Sequence, residues 1–195
     1  MTNIDILRHG EPEGGQRYRG HGVDDPLSVT GWQQMWQAVP PSPPWQHIVS
    51  SPLARCRHFA EALATKLQLP CCIEDNLKEI GFGVWEGRTP ADIEANDGDA
   101  LKRFINDPLH NRPDGAEPLE PFAERVWTVY QNRMQQHQGQ HILFVAHAGV
   151  IRAITSRILG MPLDAVYSKL KIEYAAVART RQSDKPGSSG PVLIL

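Results

Sequence analysis

The sequence has few cysteines and almost no net charge, and each shortage argues against a class of protein. Cys56, Cys71 and Cys72 are the 3 cysteines among 195 residues. Their number and spacing fit neither a disulfide framework nor a zinc site, which favours a reducing cytoplasm. The 20 Lys and Arg residues against 22 Asp and Glu residues give a formal net charge of −2. The chain as a whole therefore has no attraction for nucleic acid or for an anionic membrane, and we expect neither as a partner.

Long apolar runs are also missing. No stretch approaches the ~20 apolar residues of a membrane-spanning helix. The apolar run at the N-terminus contains Asp5 and Arg8 and is too short for a signal peptide, so we expect a soluble protein. No break in composition divides the chain, and its 195 residues can form one α/β domain with a substantial core. We therefore assign 1–195 to a single domain.

Short apolar runs that end at turn residues alternate with amphipathic segments. The predicted strands are 4–7, 47–50, 70–74, 141–146, a strand within 171–179, and 192–195. The predicted helices are 30–39, a helix after residue 52, two or three short helices in 90–107, a long helix over 118–137, and a helix after residue 149. This alternation predicts a three-layer α/β/α fold with a mostly parallel central sheet.

The C-terminal residues carry two further expectations. Residues 183–191 are rich in Ser, Gly and Pro, which predicts a flexible linker. The apolar residues 192–195 can add an edge strand within one chain or between two chains, so we also expect that a homodimer can form.

Polar side chains follow three of the predicted strands. Arg8 and His9 follow the first strand, Arg55 follows the second, and His147 follows the strand over 141–146. Because the carboxyl ends of parallel strands meet at one edge of a sheet, we expect these side chains to converge there. The sequence thus predicts a site that contains two imidazoles and two guanidiniums.

Such a site suits phosphoryl transfer. Two arginines bind the oxygens of a phosphoryl group with paired, charge-assisted hydrogen bonds. A neutral imidazole attacks phosphorus and forms a phosphoramidate, which water later breaks. The second imidazole is expected to stay cationic and to stabilise the charge of the transition state, a task that metal ions perform in other phosphoryl-transfer enzymes. The chain has no metalloprotease helix motif, no Cys-x-x-Cys pair and no P-loop, so we expect neither metal nor cofactor.

The leaving alkoxide needs a proton, and a glycine-rich, aromatic segment over 76–88 supplies the acidic candidates. We choose Glu79, which lies among apolar residues in a loop expected to cover the site. An apolar environment favours the protonated form of a carboxyl group, and therefore a general acid. Glu86 lies in the same loop and competes for this role.

Two other interpretations stay open at this point. In the first, the arginines and histidines only bind a phosphate-bearing ligand and catalyse nothing, although binding alone does not need a nucleophile. In the second, some of the 8 histidines hold a cobalt or zinc ion. The second is disfavoured because only His137 and His141 have helical ligand spacing, and they straddle the predicted end of a helix.

Four segments resemble, in order, the signature segments of the histidine phosphatase superfamily, which includes the cofactor-dependent phosphoglycerate mutases. They are 7–11, 51–56, 77–79 together with 83–87, and 145–150. The resemblance covers residues 4 to about 165 and implies a phosphoglycerate mutase-like α/β/α fold that works without metal.

The resemblance also implies a role for each candidate residue. His9 is the phosphorylated nucleophile, Arg8 and Arg55 bind phosphate, His147 supports the transferring group, and Glu79 is the acid and base. We add Ala148, directly after His147, to the phosphate-binding residues.

The chain departs from the family pattern in one place. Pro12 stands where many members have threonine, and Gly15 stands at the position of an asparagine that helps to hold phosphate. Phosphate binding then depends on Arg17 or Arg19, and we choose Arg19. The alternative is that both arginines are exposed loop charges.

The resemblance favours a hydrolase over a mutase. Mutases of the family carry a longer basic segment after the acidic loop, whereas here residues 85–90 lead directly into a short acidic helix. Residues 18–21 and 159–162 are similar to those of α-ribazole-5′-phosphate phosphatases. We therefore expect a phosphatase of small phosphomonoesters. A phosphoglycerate mutase-type phosphotransferase and a phosphatase of phosphohistidine proteins remain alternatives.

Overall fold

The computed structural model describes residues 1–183 and 190–194. The strands are β1 (Thr2–Arg8), β2 (His47–Ser50), β3 (Cys71–Ile73), β4 (His141–Ala146), β5 (Val177–Gln182) and β6 (Val192–Ile194). The helices are α1 (Val29–Ala38), α2 (Ala54–Leu67), α3 (Pro90–Asn96), α4 (Ala100–Asn106), α5 (Leu119–Gln136), α6 (Ala148–Leu159) and α7 (Leu163–Lys169). Two short 3₁₀ turns, Asp75–Leu77 and Gly83–Trp85, lie between β3 and α3.

The strands form one sheet in the order β3-β2-β4-β1-β5-β6. The first four strands in this order are parallel, and β5 and β6 add on as antiparallel strands. The α/β fold with a mostly parallel sheet is therefore confirmed. Since β1, β2 and β4 are neighbours that run in the same direction, their carboxyl ends lie side by side at one edge of the sheet.

Apolar side chains on each face of the sheet pack against a separate group of helices. Ile6 of β1 belongs to a core cluster with Phe122 of α5 and Ile154 of α6. The next residue, Leu7, points to the opposite face and belongs to a cluster with Met35 of α1 and Phe59 of α2. This alternation along β1 produces the three layers, because successive side chains of a strand point to opposite faces.

Helices α2 and α6 begin within a few residues of the ends of β2 and β4, so both helix N-termini face the same edge of the sheet. His147 is the N-cap residue of α6. The helix ends at Gly160, which adopts the left-handed conformation (φ 62°) that favours glycine at this position. Among the described residues, no helix is long and apolar enough to cross a membrane.

The C-terminal part differs from the sequence prediction. The strand expected within 171–179 starts only at Val177 and continues to Gln182, and α7 is not among the predicted helices. Both differences arise because α7 and β5 are fixed by packing on α6 and pairing with β1 rather than by a local pattern. β6 pairs with β5 of the same chain. Most of the predicted linker, 184–189, and residue 195 lie outside the described residues.

Candidate active site

The two histidines that follow β1 and β4 meet at the edge of the sheet. The ring centroids of His9 and His147 are 5.2 Å apart, and the rings meet edge to face at 62°. Both residues are buried, with exposed fractions of 6% for His9 and 0% for His147. Parallel pairing places Leu7 opposite Val145 and Arg8 opposite Ala146. The register of the sheet therefore brings together two histidines that are far apart in sequence.

A hydrogen bond to the backbone fixes the tautomer of His9. Nδ1 lies 2.7 Å from the carbonyl oxygen of Gly10. A carbonyl oxygen only accepts, so Nδ1 carries the proton and Nε2 keeps its lone pair. Burial, followed by the charges of Arg55 and Arg8, lowers the pKa of His9 well below its usual value. The ring is therefore neutral at physiological pH, which is the state that the predicted nucleophile needs.

Gly10 itself allows the chain to turn beside helix α1. A Cβ atom at this position would lie 2.3 Å from the carbonyl oxygen of Gly31. Only glycine fits such a close approach of two backbone segments. The carbonyl group that orients the ring of His9 therefore belongs to a residue that must be glycine.

His147 contacts two side chains from the segment after β2. Its Nε2 lies 2.8 Å from Ser51 Oγ and 3.6 Å from the buried thiol of Cys56. Burial, followed by the charge of Arg55, lowers the pKa of His147 well below its usual value. This differs from the cationic ring that the sequence analysis expects. The reason is that burial and the nearby guanidiniums both oppose a second proton on the ring.

The two predicted phosphate-binding arginines flank the histidines. Arg55, 1% exposed, donates through Nη1 to the carbonyl of Val23 (2.9 Å) and through Nη2 to the carbonyl of Gly20 (2.7 Å). Arg8 donates through Nη1 to Ile172 and stacks on Tyr174, with its guanidinium carbon 4.2 Å from the ring centre.

Within the described residues, the buried Nε atoms of Arg8 and Arg55 have no hydrogen-bond partner. Burial also lowers the pKa of both guanidiniums. Unpaired buried donors beside neutral imidazoles form an environment that favours a bound anion.

Arg19 is buried, with 7% of its surface exposed, so the exposed-charge alternative is wrong for this residue. Its Nε pairs with Asp25 at 2.8 Å. Its Nη2 donates to the carbonyls of Glu13 (2.5 Å) and Gly15 (2.7 Å). These contacts hold the loop after β1. Arg17, by contrast, is partly buried and donates to the carbonyl of Gly14. A phosphate-binding role for Arg19 stays a prediction.

The position of the family asparagine is open in this chain. Gly15 is exposed and adopts a φ of +71°. A Cβ atom built there meets no other atom within 4 Å. The described structure therefore leaves room for a Cβ atom at this position.

Ala148 occupies the first turn of α6, directly after His147. The backbone amides of a helix N-terminus point toward an anion, and the helix dipole adds a partial positive charge. The next amide, that of Gly149, donates to Glu79 Oε2 at 3.3 Å. The start of α6 thus contacts both the predicted phosphate site and the predicted acid.

Glu79 reaches from its loop to the start of α6. Its Oε1 accepts from the amide of Ile80 at 2.9 Å. A Cβ atom at position 149 would lie 2.2 Å from that oxygen, so glycine is required for the contact. Glu86 instead accepts from the amide of Phe82 at 2.9 Å and packs against Gly20 and Gly22. The geometry therefore favours Glu79 over Glu86 as the acid.

A cavity of about 220 Å³ opens beside Glu79. Its walls include four aromatic side chains and the guanidinium of Arg152; the aromatic residues are Tyr18, Phe82, Phe104 and Tyr167. A larger cavity of about 420 Å³ lies at α3 and α4 and contains none of the predicted site residues. We regard the smaller cavity as functionally relevant because it shares Glu79 and Gly149 with the site.

Arg152 lines this cavity but does not stand out in the sequence. Its Nε donates to the carbonyl of Leu170 at 2.9 Å, and its guanidinium carbon lies 5.5 Å from the ring centre of Tyr167. No hydrogen bond ties its Nη atoms to any residue of 1–183 or 190–194. Its spacing could have identified it, because residues four apart share one face of a helix. Arg152 lies four residues after Ala148 and therefore on the helix face of a predicted site residue.

Metal ligands are not grouped in the part of the chain that the structure describes. No three His, Cys, Asp or Glu side chains lie together in an arrangement that could hold a metal ion.

The chain is similar to known proteins over most of its length. Residues 4–188 match the model of the histidine phosphatase superfamily (branch 1). The chain is similar to the adenosylcobalamin/alpha-ribazole phosphatase of Escherichia coli K12, with 30% identity over 166 residues, 83% of this chain and 81% of that protein. It is also similar to a protein named probable phosphoglycerate mutase GpmB from Escherichia coli O1:K1, with 26% identity over 182 residues, 92% of this chain and 84% of that protein.

Among solved structures, the alpha-ribazole phosphatase from Shigella flexneri superposes with a TM-score of 0.82 at 26% identity. The match covers 99% of this chain and 95% of that one.

Proposed function

Since the chain belongs to the histidine phosphatase superfamily and is a phosphatase, we propose that it hydrolyses small phosphomonoesters without a metal ion, through a phosphohistidine at His9. The observation that carries the proposal is the arrangement of His9. Its Nδ1 proton is held by Gly10, its Nε2 lone pair is free, and its partner His147 lies 5.2 Å away between ring centres.

The first step transfers the phosphoryl group to the enzyme. The Nε2 lone pair of His9 forms a bond to phosphorus while the bond between phosphorus and the ester oxygen breaks. The electron pair of the broken bond stays on the leaving oxygen, which takes a proton from the carboxyl group of Glu79. The alcohol leaves, and His9 carries the phosphoryl group.

The second step returns the enzyme to its starting state. Glu79, now a carboxylate, takes a proton from a water molecule as the water oxygen attacks phosphorus. The bond between phosphorus and Nε2 breaks, and its electron pair returns to the ring of His9. Inorganic phosphate leaves, and Glu79 is protonated again for the next cycle.

Four groups stabilise the charge of the transferring phosphoryl group. Arg8 and Arg55 supply forked cationic donors, and the N-terminus of α6 supplies the amide of Ala148. His147, whose Nε2 contacts Ser51, lies 5.2 Å from His9 between ring centres and is the fourth group. A bound dianion favours the protonated form of His147, opposite to the effect of the two arginines.

Alpha-ribazole 5′-phosphate is our first candidate substrate. Two similar proteins carry the name alpha-ribazole phosphatase. The cavity beside Glu79 is small and has aromatic walls, which suits a leaving group with a flat apolar part.

A phosphoglycerate mutase-type phosphotransferase is the second candidate, because the similarity to GpmB extends over 92% of this chain. A mutase passes the phosphoryl group to a second hydroxyl group rather than to water. We favour hydrolysis because the helices between the acidic loop and α5 are short: α3 and α4 have 7 residues each.

A panel of phosphomonoesters tests these proposals. Alpha-ribazole 5′-phosphate and 3-phosphoglycerate are assayed with and without bisphosphoglycerate, and each assay is repeated after treatment with EDTA. We expect release of inorganic phosphate from alpha-ribazole 5′-phosphate that EDTA does not change. Binding of substrate without turnover would favour the noncatalytic phosphate-binding module, and loss of activity with EDTA would contradict metal independence.

We also propose that two copies can associate through β6, which forms an edge of the sheet. Sedimentation velocity of the purified protein tests this. A dimer is expected, and a monomer at all concentrations would contradict it.

A further inference from the structure

We propose that Arg125 and Glu117 are positioning residues that hold Glu79 at the leaving-group oxygen. The inference rests on the proposed role of Glu79 as the general acid. Neither residue belongs to a segment that resembles a family signature, and neither touches the phosphate site. Arg125 lies on α5 and Glu117 lies just before that helix.

Arg125 forms hydrogen bonds with the backbone on the N-terminal side of Glu79. Its Nη1 donates to the carbonyls of Asn76 (2.6 Å) and Lys78 (3.0 Å). Its Nη2 makes a longer contact of 3.5 Å with the carbonyl of Glu79 itself. One guanidinium therefore contacts three carbonyls within four consecutive residues of the acid loop.

Glu117 holds both the arginine and the other side of the acid. Its two carboxylate oxygens accept from Nε and Nη2 of Arg125 at 2.8 and 2.9 Å. Oε2 also accepts from the amide of Gly81 at 3.2 Å, and the amide of Glu117 donates to the carbonyl of Gly81 at 3.1 Å. The pair thus contacts the backbone on both sides of Glu79.

The environment of this pair is partly shielded from water. The exposed fractions of the side chains are 20% for Arg125 and 18% for Glu117. Burial opposes the charge of Glu117, but the hydrogen bonds and charge of Arg125 outweigh it and lower the pKa of Glu117. A forked pair between two charged groups is a rigid support, because it fixes orientation as well as distance.

Glu79 needs such support because its loop has no strand or helix of its own. Residues 78–82 lie between two 3₁₀ turns. The carboxylate itself makes only two hydrogen bonds within the described structure, one to the adjacent amide of Ile80 and a longer one to Gly149. The distance between the acid and the leaving oxygen therefore depends on the backbone that Arg125 and Glu117 hold. His21, 3.2 Å from the carbonyl of Glu79, and Arg112, which donates to the carbonyl of Gly81 at 2.9 Å, each add one contact to this backbone.

The test compares two substrates with different needs for an acid. Ribose 5-phosphate releases an alkoxide that needs a proton, whereas p-nitrophenyl phosphate releases a phenolate that departs without one. We expect Arg125→Met to lower kcat/KM for ribose 5-phosphate by about 10-fold to 100-fold and for p-nitrophenyl phosphate by less than about 3-fold. A merely structural role would lower both values by the same factor.

Arg133→Met is the matched control. Arg133 lies on the same helix and pairs with Glu74 at 3.0 Å, with exposed fractions of 19% and 21%. This pair is as shielded as the Arg125–Glu117 pair. Arg133 itself contacts no backbone of residues 76–81, and Glu74 accepts one long hydrogen bond of 3.3 Å from the amide of Asn76, three residues before Glu79. We expect kcat/KM to be unchanged for both substrates.

Two further variants keep the test decisive. Glu117→Gln keeps an acceptor for the amide of Gly81 but removes the charge that holds Arg125. We expect the same dependence on the leaving group to a smaller degree. This variant provides the test if Arg125→Met does not fold. Equal losses on both substrates, or no loss, in both variants would overturn the inference. Glu79→Gln tests the premise separately: if it shows no dependence on the leaving group, the proposed acid is wrong as well.

Discussion

The candidate active site combines two regions that are built in different ways. At the edge of the sheet, His9 and His147 directly follow paired parallel strands and are almost fully buried. In the acid loop over 76–88, Glu79 is partly buried and follows no strand. Its backbone is held by the side chains of Arg125 and Glu117. The first region owes its geometry to the sheet, and the second owes its geometry to a few side-chain contacts.

This difference separates the two tasks of a phosphatase. In the proposed mechanism, transfer of the phosphoryl group is the same for every substrate and takes place on the part of the fold that is hardest to deform. Recognition and protonation of the leaving group differ between substrates, and in this mechanism they depend on loops and a cavity that can change without disturbing the sheet. Variants in the two regions should therefore fail in different ways.

The largest effect is expected at the nucleophile. His9→Ala removes the imidazole that we propose as the acceptor of the phosphoryl group, so kcat should fall by about 10⁴-fold or more for every substrate, whatever its leaving group. Steady-state release of phosphate from aryl and alkyl esters measures this. The control is His58→Ala, because His58 is exposed on α2. Substantial activity of His9→Ala toward any ester would contradict the proposal that phosphoryl transfer takes place on His9 at the edge of the sheet.

A smaller loss is expected from Arg55→Lys. Lysine keeps the charge but loses the fork that contacts the carbonyls of Gly20 and Val23. We expect kcat/KM to fall by about 100-fold, equally for aryl and alkyl phosphates, because every substrate presents the same phosphoryl group. Arg57→Lys, on the same helix, serves as the control. A loss that depends on the leaving group would contradict the division between the two regions.

Arg152→Met should affect only the steps that involve the leaving group. We expect kcat/KM for the preferred substrate to fall by about 10-fold to 100-fold, which is the effect of losing a hydrogen bond between the charged Arg152 and the leaving group. The rate of phosphoenzyme hydrolysis should stay unchanged, because the leaving group has already departed. Rapid-quench kinetics separate the two steps. A slower hydrolysis step would instead place Arg152 in the phosphate site.

The smallest effect concerns stability at low pH. Burial lowers the pKa of His9 and His147 in the folded protein, so below the ordinary value of about 6.5 the unfolded chain binds these protons first. The two histidines therefore make their full contribution to the free energy of unfolding above that pH. Below it, the free energy of unfolding falls by about 1 kcal/mol per histidine for each pH unit.

Urea unfolding at about pH 7.5 and about pH 5.5, on either side of the ordinary histidine pKa, measures this change. His9→Asn removes one of the two groups and should weaken the pH dependence. A stability that is equal at both pH values, or an equal slope in the variant, would show that the histidines are not held neutral.

The sequence predicts the sheet edge better than the acid loop, and the reason is physical. His9, Arg55 and His147 each follow a short apolar strand, and parallel strands place their carboxyl ends together whatever the rest of the chain does. These positions can therefore be found from local patterns. The burial of Arg19 cannot, because it depends on Asp25 and on carbonyl groups of a loop without regular structure.

The missed features share a dependence on distant contacts. Arg125 contacts residues almost fifty positions earlier in the chain, and β5 is fixed by pairing with β1 across most of the sequence. The neutral state of His147 follows from burial and from Arg55, neither of which a local motif reveals. Glu79 is an intermediate case, since the loop is visible in the sequence but its contact with Gly149 is not.

The most direct test of the account is to trap the phosphoenzyme. The protein is mixed with an aryl phosphate, denatured at alkaline pH so that a phosphoramidate survives, digested, and examined by mass spectrometry. We expect one phosphate on the imidazole of His9 in the wild type and in Glu79→Gln, and none in His9→Ala. Turnover without a phosphorylated histidine, or a phosphate on another residue, would contradict the account.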